Sequence, residues 1–440
     1  MHIKLRCGAR HLRVAVPDAA TIYESDYPPP ADDPAGAVMG AARSPLEAPP
    51  LKEALQDRRA GPVVVVVSDI TRPVPYPAFL GDLLAEVEEA GVARDDILIL
   101  IATGMHRACP PAEQREMLGD AADIYRVLNH DARDEDLLME LPARSHGGSP
   151  VRLNRHYVEA GFRLITGLVE PHFMAGFSGG RKAVCPGLTS LETIQQFHGF
   201  DFLDHPRARN GTLQGNPLHE EALSVPRAAP ADFSVNVVLD QNRRLVRAFA
   251  GEMEAAHEAA CRFVSGCACP RVEQPADVVV TSSGGYPLDA TFYQCVKGFV
   301  SCLPAVREGG GIVAFGGCSE GIGSAEYERT MVEYSGRWRR FIEDIRDGGR
   351  FVRDQWQYQM HVKALERVGQ DGLHFVTDGL SASELSRLSV NPHAVQPAEV
   401  EDTVQELVDR LVGSGASLAA FPEGPYCAPV AWETDPKGPV

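Results

Sequence analysis

The chain has 440 residues, enough for about three folding units at ~150 residues each, or two large ones. Its formal charge of −18 argues against nucleic acid or an anionic membrane as a general partner, and 44% hydrophobic content excludes a disordered chain. No apolar run approaches the ~20 residues of a membrane span, and the opening Met1-His2-Ile3-Lys4 lacks a signal pattern. The expectation is a soluble, cytoplasmic protein.

In chain order, residues 2–16 read as a β-hairpin, followed by a Pro/Ala-rich stretch, Tyr27 to Pro50, expected as an irregular connection. Short apolar runs then read as buried strands: Val63–Val67, Ile97–Ala102, Arg163–Val169, Val235–Leu239, Val278–Thr281, Ile312–Phe315 and Phe375–Thr377. Helical patterns lie between several of them, at Pro77–Ala90, Leu191–Phe197, Ala290–Leu303, Tyr327–Asp347 and Pro397–Val412. Thr189-Ser190-Leu191-Glu192 fits a capping box for the second of these. The alternation predicts an α/β fold of two α/β domains with mostly parallel sheets. The boundary falls in the Pro-containing stretch around Cys267–Pro275, giving 1–270 and 271–440. The ten cysteines show no C-x-x-C pair, so they read as buried thiols.

The chemistry-bearing residues cluster just after strands, where open parallel sheets bind ligands. Asp69 and Arg72 follow the first strand, His106 the second, and His172 the third. Past His172 runs Phe177-Ser178-Gly179-Gly180-Arg181-Lys182-Ala183, whose amides suit a phosphate and whose Arg181 and Lys182 add positive charge. It is not a Walker A loop, because Arg181 precedes the lysine and Ala183 follows it. Taken singly, each feature has a bland reading: a mobile glycine loop, a structural histidine, a surface Asp69–Arg72 pair. Two strand-end histidines facing one substrate would make an acid/base pair, and the Arg72 guanidinium suits a carboxylate. Gln294 and Lys297, three apart, share a helical face, and Trp356 reads as a pocket cover or as core. His219-Glu220 and His257-Glu258 begin H-E-x-x-H without its second histidine and are expected as exposed helix surface. No G-x-G-x-x-G is present, so a dinucleotide fingerprint is lacking.

Ser68-Asp69-Ile70-Thr71-Arg72-Pro73, Ala102-Thr103-Gly104-Met105-His106-Arg107, Pro171-His172 through Lys182-Ala183-Val184-Cys185-Pro186-Gly187, His198, and Gly284-Gly285-Tyr286-Pro287 to Lys297 together resemble the nickel-dependent lactate racemase family. The resemblance runs in order from about residue 60 to 320. It implies two α/β domains with the active site between them. It also implies a nickel-pincer nucleotide, the Ni(II) complex of pyridinium-3-thioamide-5-thiocarboxylic acid mononucleotide, covalently attached to Lys182 and supplied by cofactor-biosynthesis enzymes. By the same resemblance His198 is the nickel ligand, His106 and His172 are the acid/base pair, and Arg72 holds the substrate carboxylate. Tyr293, Gln294 and Lys297 join the substrate pocket, while Asp69, Ser178, Gly179, Gly180 and Trp356 surround the cofactor. The activity implied is racemisation or epimerisation of a small 2-hydroxy acid by hydride transfer. The rival readings are a non-catalytic binding protein for phosphorylated or acidic metabolites and a Schiff-base enzyme centred on Lys182.

Overall fold

The computed structural model describes residues 1–347, 351–413 and 415–431. The chain forms two compact units, both discontinuous in sequence. One comprises residues 27–202 and 212–264. The other comprises 1–26, 203–211 and the chain from Ser265 on. This partition differs from a cut at 270/271: the N-terminal hairpin joins the C-terminal half.

In the unit spanning 27–264, six strands order as Leu245–Gly251, Phe233–Leu239, Phe162–Leu168, Val63–Ser68, Ile97–Ala102 and Arg126–Asn129. All neighbours are parallel except the first pair, which is antiparallel. In sequence terms the order is sixth, fifth, fourth, first, second, third, the arrangement of dinucleotide-binding folds, built here without their glycine fingerprint. The order reverses between Val63–Ser68 and Phe162–Leu168, and the carboxyl ends flanking such a reversal are where ligands bind. Both sheet faces are buried, which is why these strands read as unbroken apolar runs. Val63, Val65, Val67, Ile97, Ile99 and Ile101 share one core with Leu80, Leu83, Leu84 and Val87 of the helix Leu80–Glu89.

That core also takes Val38, Met39 and Ala42 from a helix, Pro34–Arg43, inside the stretch expected to be irregular. Asp33 caps it by accepting the Gly36 N–H, and Pro34 occupies its first turn, where a missing N–H costs nothing. The helix Leu191–Phe197 is capped one residue later than expected, with Ser190 accepting from Thr193. The single helix expected over Tyr327–Asp347 is two, Ala325–Glu333 and Trp338–Arg346, parted at Gly336 with its positive φ of 67°.

The other unit carries a second six-stranded sheet, wholly parallel: Asn391–Ala394, Leu373–Thr377, Val306–Phe315, Ala276–Ser282, Leu418–Phe421 and Thr21–Ile22. The hairpin His2–Cys7/Arg10–Ala15 buries Leu5, Leu12 and Val14 against Val278, Val280, Val313 and Phe315, together with the helix Val400–Val412. Its turn reaches the sheet's carboxyl edge. The Gly8 N–H donates to Asp289 (2.6 Å), the Tyr286 N–H to Gly8 O (2.8 Å), and Arg10 pairs with Asp378 (2.6 Å). A Cβ on Gly317 would come within 3.2 Å of the Gly8 Cα, so glycine is needed for that close approach. Among the described residues no helix is long and apolar enough to cross a membrane.

Candidate active site

The residues expected at the first sheet's carboxyl edge are brought to it. Tyr76, fully buried, ties the reversal point together: its hydroxyl accepts the Ser68 N–H (2.7 Å) and meets Thr166 Oγ1 (2.9 Å), which itself donates to Val66 O (2.8 Å). Neither Tyr76 nor Thr166 stood out in the sequence, because a buried hydroxyl pair has no local signature. From this anchored end the chain turns through Asp69, whose side chain takes the Thr71 hydroxyl (2.6 Å) and N–H (3.2 Å).

The other carboxylate oxygen of Asp69 lies 2.6 Å from His106 Nδ1. Burial works to raise the Asp69 carboxyl, but the bond and charge of His106, with Thr71 and Arg72, outweigh it and hold it below the usual range. A buried carboxylate accepts and does not donate, so Nδ1 of His106 carries a proton, and in the neutral ring Nε2 is the nitrogen left to accept. The Asp69 side chain is 6% exposed and that of His106 51%, so the fixed end is inside and the reactive end reachable. The structure therefore sets Asp69 against His106, which is more specific than a general place around a cofactor. The His106 turn is pinned by the Gly104 N–H donating to Gly187 O (3.0 Å), at the far end of the glycine loop. Arg72 is partly buried, and its guanidinium makes no hydrogen bond or ion pair within the described residues.

His172 is held the opposite way. Its Nδ1 accepts two backbone N–H groups, from Met174 and Ala175, each at 3.2 Å. The ring proton therefore sits on Nε2, 3.1 Å from Lys182 Nζ. His198 closes the helix Leu191–Phe197, its Nδ1 2.9 Å from Ile194 O, so that Nδ1 donates and Nε2 is bare. Burial pushes its pKa down to about 3, keeping the imidazole neutral at physiological pH.

The glycine loop departs from the phosphate-cradle reading. The Ser178 N–H donates to Glu170 O, that of Gly180 to Asn236 Oδ1 (2.8 Å) and that of Lys182 to Gly179 O, so these amides are committed to the chain itself. Ser178 Oγ bridges Leu168 O (2.7 Å) and the Glu170 N–H (3.0 Å). Gly180 is glycine because a Cβ there would lie 2.5 Å from the His257 ring. Arg181 is likewise no surface charge. It is 1% exposed and donates to Ala175 O, Phe177 O and His257 Nε2 (3.0, 3.0 and 2.8 Å). Burial lowers its pKa to about 10, which still leaves it a cation. His257 and His219, expected on exposed helix surface, are buried; His257 is the floor on which the loop rests.

Tyr293, Gln294, Lys297 and Trp356 lie in the other unit. Trp356 Nε1 donates to Tyr293 Oη (3.3 Å), and Tyr293 Oη reaches Asp354 (3.3 Å). Burial, then the Asp354 charge, pushes the Tyr293 phenol upward, so it stays a neutral donor. Gln294 follows on the same helix, Phe292–Ser301, with its buried Oε1 unpaired.

Among the described residues no group of three or more His, Cys, Asp or Glu side chains is placed to hold a metal ion.

Two family matches divide the chain: the lactate racemase N-terminal domain over residues 7–211 and the lactate racemase C-terminal domain over 272–425. A protein named lactate racemase from Thermoanaerobacterium thermosaccharolyticum is 38% identical over 384 residues, 86% of this chain and 87% of its own length. Another of that name from Lactiplantibacillus plantarum is 32% identical, covering 82% and 83%. The structure of the lactate racemase apoprotein from T. thermosaccharolyticum superposes with a TM-score of 0.88 at 30% identity, over 98% of this chain and all of that one. A Thermotoga maritima protein shares the fold alone, with a TM-score of 0.64 at 19% identity over 87% of this chain and 96% of that one. Sequence and fold agree that this chain belongs to the lactate racemase family.

Proposed function

We propose that this member of an isomerase family interconverts the stereoisomers of lactate or a related small 2-hydroxy acid, using a lysine-tethered nickel-pincer nucleotide. The observation that carries the reading is the opposed setting of the two histidines. Asp69 leaves His106 with a bare Nε2 that can take a hydroxyl proton, while two backbone amides leave His172 with an Nε2–H that can give one. Inverting a hydroxyl-bearing carbon through a flat 2-oxo acid needs both: one proton leaves the oxygen as the α-hydrogen departs, and one returns when it comes back on the other face. A protein that only bound acidic metabolites would have no use for the pair.

The residues fit the implied cofactor at two points. His198 is a neutral imidazole with a bare Nε2 and a backbone carbonyl fixing its tautomer, the usual dress of a metal-ligating histidine. Lys182 is a partly buried amine on the rigid loop clamped by Arg181. A sulfur, carbon and imidazole donor set suits planar Ni(II) and needs only one protein ligand. The committed loop amides argue that Ser178, Gly179 and Gly180 shape the loop and that the nucleotide phosphate sits elsewhere. When bound, the cofactor supplies the hydride acceptor. The chain's part is to hold the carboxylate on Arg72, to set the hydroxyl between the histidines and to keep water away.

Direct deprotonation at carbon is a poor alternative, since the α-hydrogen beside a carboxylate is barely acidic and imidazole is a weak base for it. Substrate deuterated at the α-carbon separates the routes. The hydride route retains deuterium in the product and allows 2-oxo acid to be trapped on quenching. Wash-in of solvent hydrogen at that carbon, with no trapped 2-oxo acid, would reject it.

A further inference from the structure

The two N–H groups that hold His172 are themselves held, by a residue outside the run of strand-end side chains. Asn216 is fully buried and caps the helix Pro217–Ala228, its Oδ1 accepting the Leu218 N–H (3.0 Å). Its amide nitrogen donates to Met174 O and to Thr212 O, both at 3.0 Å. The partners fix that orientation, since an N–H faces Oδ1 and two carbonyls face Nδ2. A helix cap needs only the oxygen, which serine, threonine or aspartate supply as well. The other half of the amide is spent on the chain around His172. Met174 O and the Ala175 N–H are the two ends of one planar peptide, and that N–H is one of the pair donating to His172 Nδ1 (3.2 Å). The next carbonyl, Ala175 O, is taken by Arg181 (3.0 Å), and a Cβ on Gly176 would overlap Thr212 O, so the turn is clamped on both sides.

We propose that Asn216 is the positioning residue for His172, acting through the Met174–Ala175 peptide, and that this relay keeps the ring's proton on Nε2. The inference rests on the acid role given to His172 above and deepens it. A bond donated to Met174 O draws electrons toward that oxygen and makes the Ala175 N–H, at the far end of the same peptide, a stronger donor to Nδ1. It also fixes the plane of the peptide, so that a proton on Nδ1 would meet a donor head-on. The reinforcement has something to oppose. Lys182 Nζ lies 3.1 Å from Nε2 and, as an ammonium, favours a bare nitrogen on that side. Asn216 thus does for His172, at one remove, what Asp69 does for His106 directly. One side chain accepts at its ring; the other donates behind a peptide.

The test reads the tautomer apart from the cofactor, in the full-length chain labelled with ¹⁵N-histidine and carrying Lys182→Met, which removes the competing charge. Long-range ¹H–¹⁵N correlations, assigned by loss of the signal in His172→Gln, should show His172 protonated on Nε2 alone. Asn216→Ser keeps the cap and loses the donor to Met174 O. About one ring in ten or more should then carry its proton on Nδ1, since roughly one hydrogen bond of preference is lost. Asn216→Asp, equal as a cap and unable to donate at about pH 8, should do the same, and it serves where the serine variant does not fold. Val225→Ala, which hollows the buried side of the same helix, should leave the spectrum as it was. A proton on Nδ1 before Asn216 is changed, no shift in the Asn216 variant that folds, or an equal shift in Val225→Ala overturns the proposal. In cofactor-loaded protein with Lys182 intact, Asn216→Ser should lower kcat about tenfold with KM within about twofold, short of the ~10²–10⁴-fold of losing an acid. An unchanged kcat overturns the proposal as well. Solvent hydrogen entering the product at the α-carbon would sink the hydride reading, and the tautomer comparison would still decide what Asn216 does.

Discussion

Both units end a parallel sheet in glycine-rich turns, and the two carboxyl edges are used in opposite ways. On the first sheet the turns project Asp69, Arg72, His106, His172 and Lys182, and the main chain satisfies itself so that side chains are left to act. On the second sheet the turns at Ser283-Gly284-Gly285 and Gly316-Gly317 are filled by the chain's own N-terminal hairpin, through Gly8, Arg6 and Arg10. Asp289 there accepts the N–H groups of Gly8 and Gly317, the mirror of Asp69, which accepts from a histidine. A buried carboxylate in the turns after a strand can thus orient a ring or clasp the main chain. What decides is whether its partner is a titratable ring or a backbone amide.

The sharpest break in this comparison comes from the two aspartates. In cofactor-loaded protein Asp69→Asn removes the acceptor that sets the His106 tautomer, and turnover should drop about 10²–10⁴-fold with thermal stability nearly kept. A loss under tenfold in steady-state rate would deny His106 its role as base. Asp289→Ala should do the reverse. It takes the acceptor from two part-buried N–H groups, so denaturant titration should show about 1–3 kcal/mol lost in total. The tethered adduct on Lys182, measured by intact mass in the protein that folds, should remain.

Next comes Arg72. Arg72→Lys keeps the charge and loses the planar fork, about 2 kcal/mol or roughly thirtyfold, expected mainly in KM. Unchanged kinetics across several 2-hydroxy acids would remove it from the site. A further effect is in acid. Burial lowers the pKa of His130 to about 4 and of His219 to about 3, with His257 well below its ordinary value, in the first unit; in the second, His361 falls to about 3 and His374 to about 4. Since the unfolded chain binds these protons first, stability is flat above pH ~6.5 and declines below it, by up to about 1.4 kcal/mol per pH unit for each histidine, until the folded value is reached. Hydrogen exchange read by mass spectrometry at pH 7 and pH 5 should show the steeper loss around Val63–Ser68. Equal loss in both sheets would refute the unequal share.

The parts legible in the sequence are those whose cause is local. Val63–Ser68, Ile97–Ala102 and Phe162–Leu168 stand out because strands buried on both faces need continuous β-branched or aliphatic runs, and a ligand site follows from where such strands stop. The helix Pro34–Arg43 was hidden by composition: alanine, glycine and proline signal a loop, while its cap and apolar face act only once the sheet is there to receive them. The burial of Arg181 gave no signal, and His257 was expected on the surface, for a related reason. A charged residue in a glycine loop and a histidine on a helix look exposed until the loop's carbonyls fold back to meet them. The hairpin's attachment to the second half was beyond local reading, since its partners lie about the whole chain away.

That attachment also sets an order of assembly. Thr21–Ile22 pairs with Leu418–Phe421, and the Arg6 N–H donates to Pro422 O, so these residues are completed by ones synthesised much later. The described residues of the unit of 27–202 and 212–264 all precede Ser265, so it can begin to close while synthesis continues. Ribosome-stalled chains that have released Val264 but not Leu418 should resist protease across that unit and be cut within the first 26 residues. A growing chain of this kind can set its first sheet while Thr21–Ile22 still waits for the strand it will pair with.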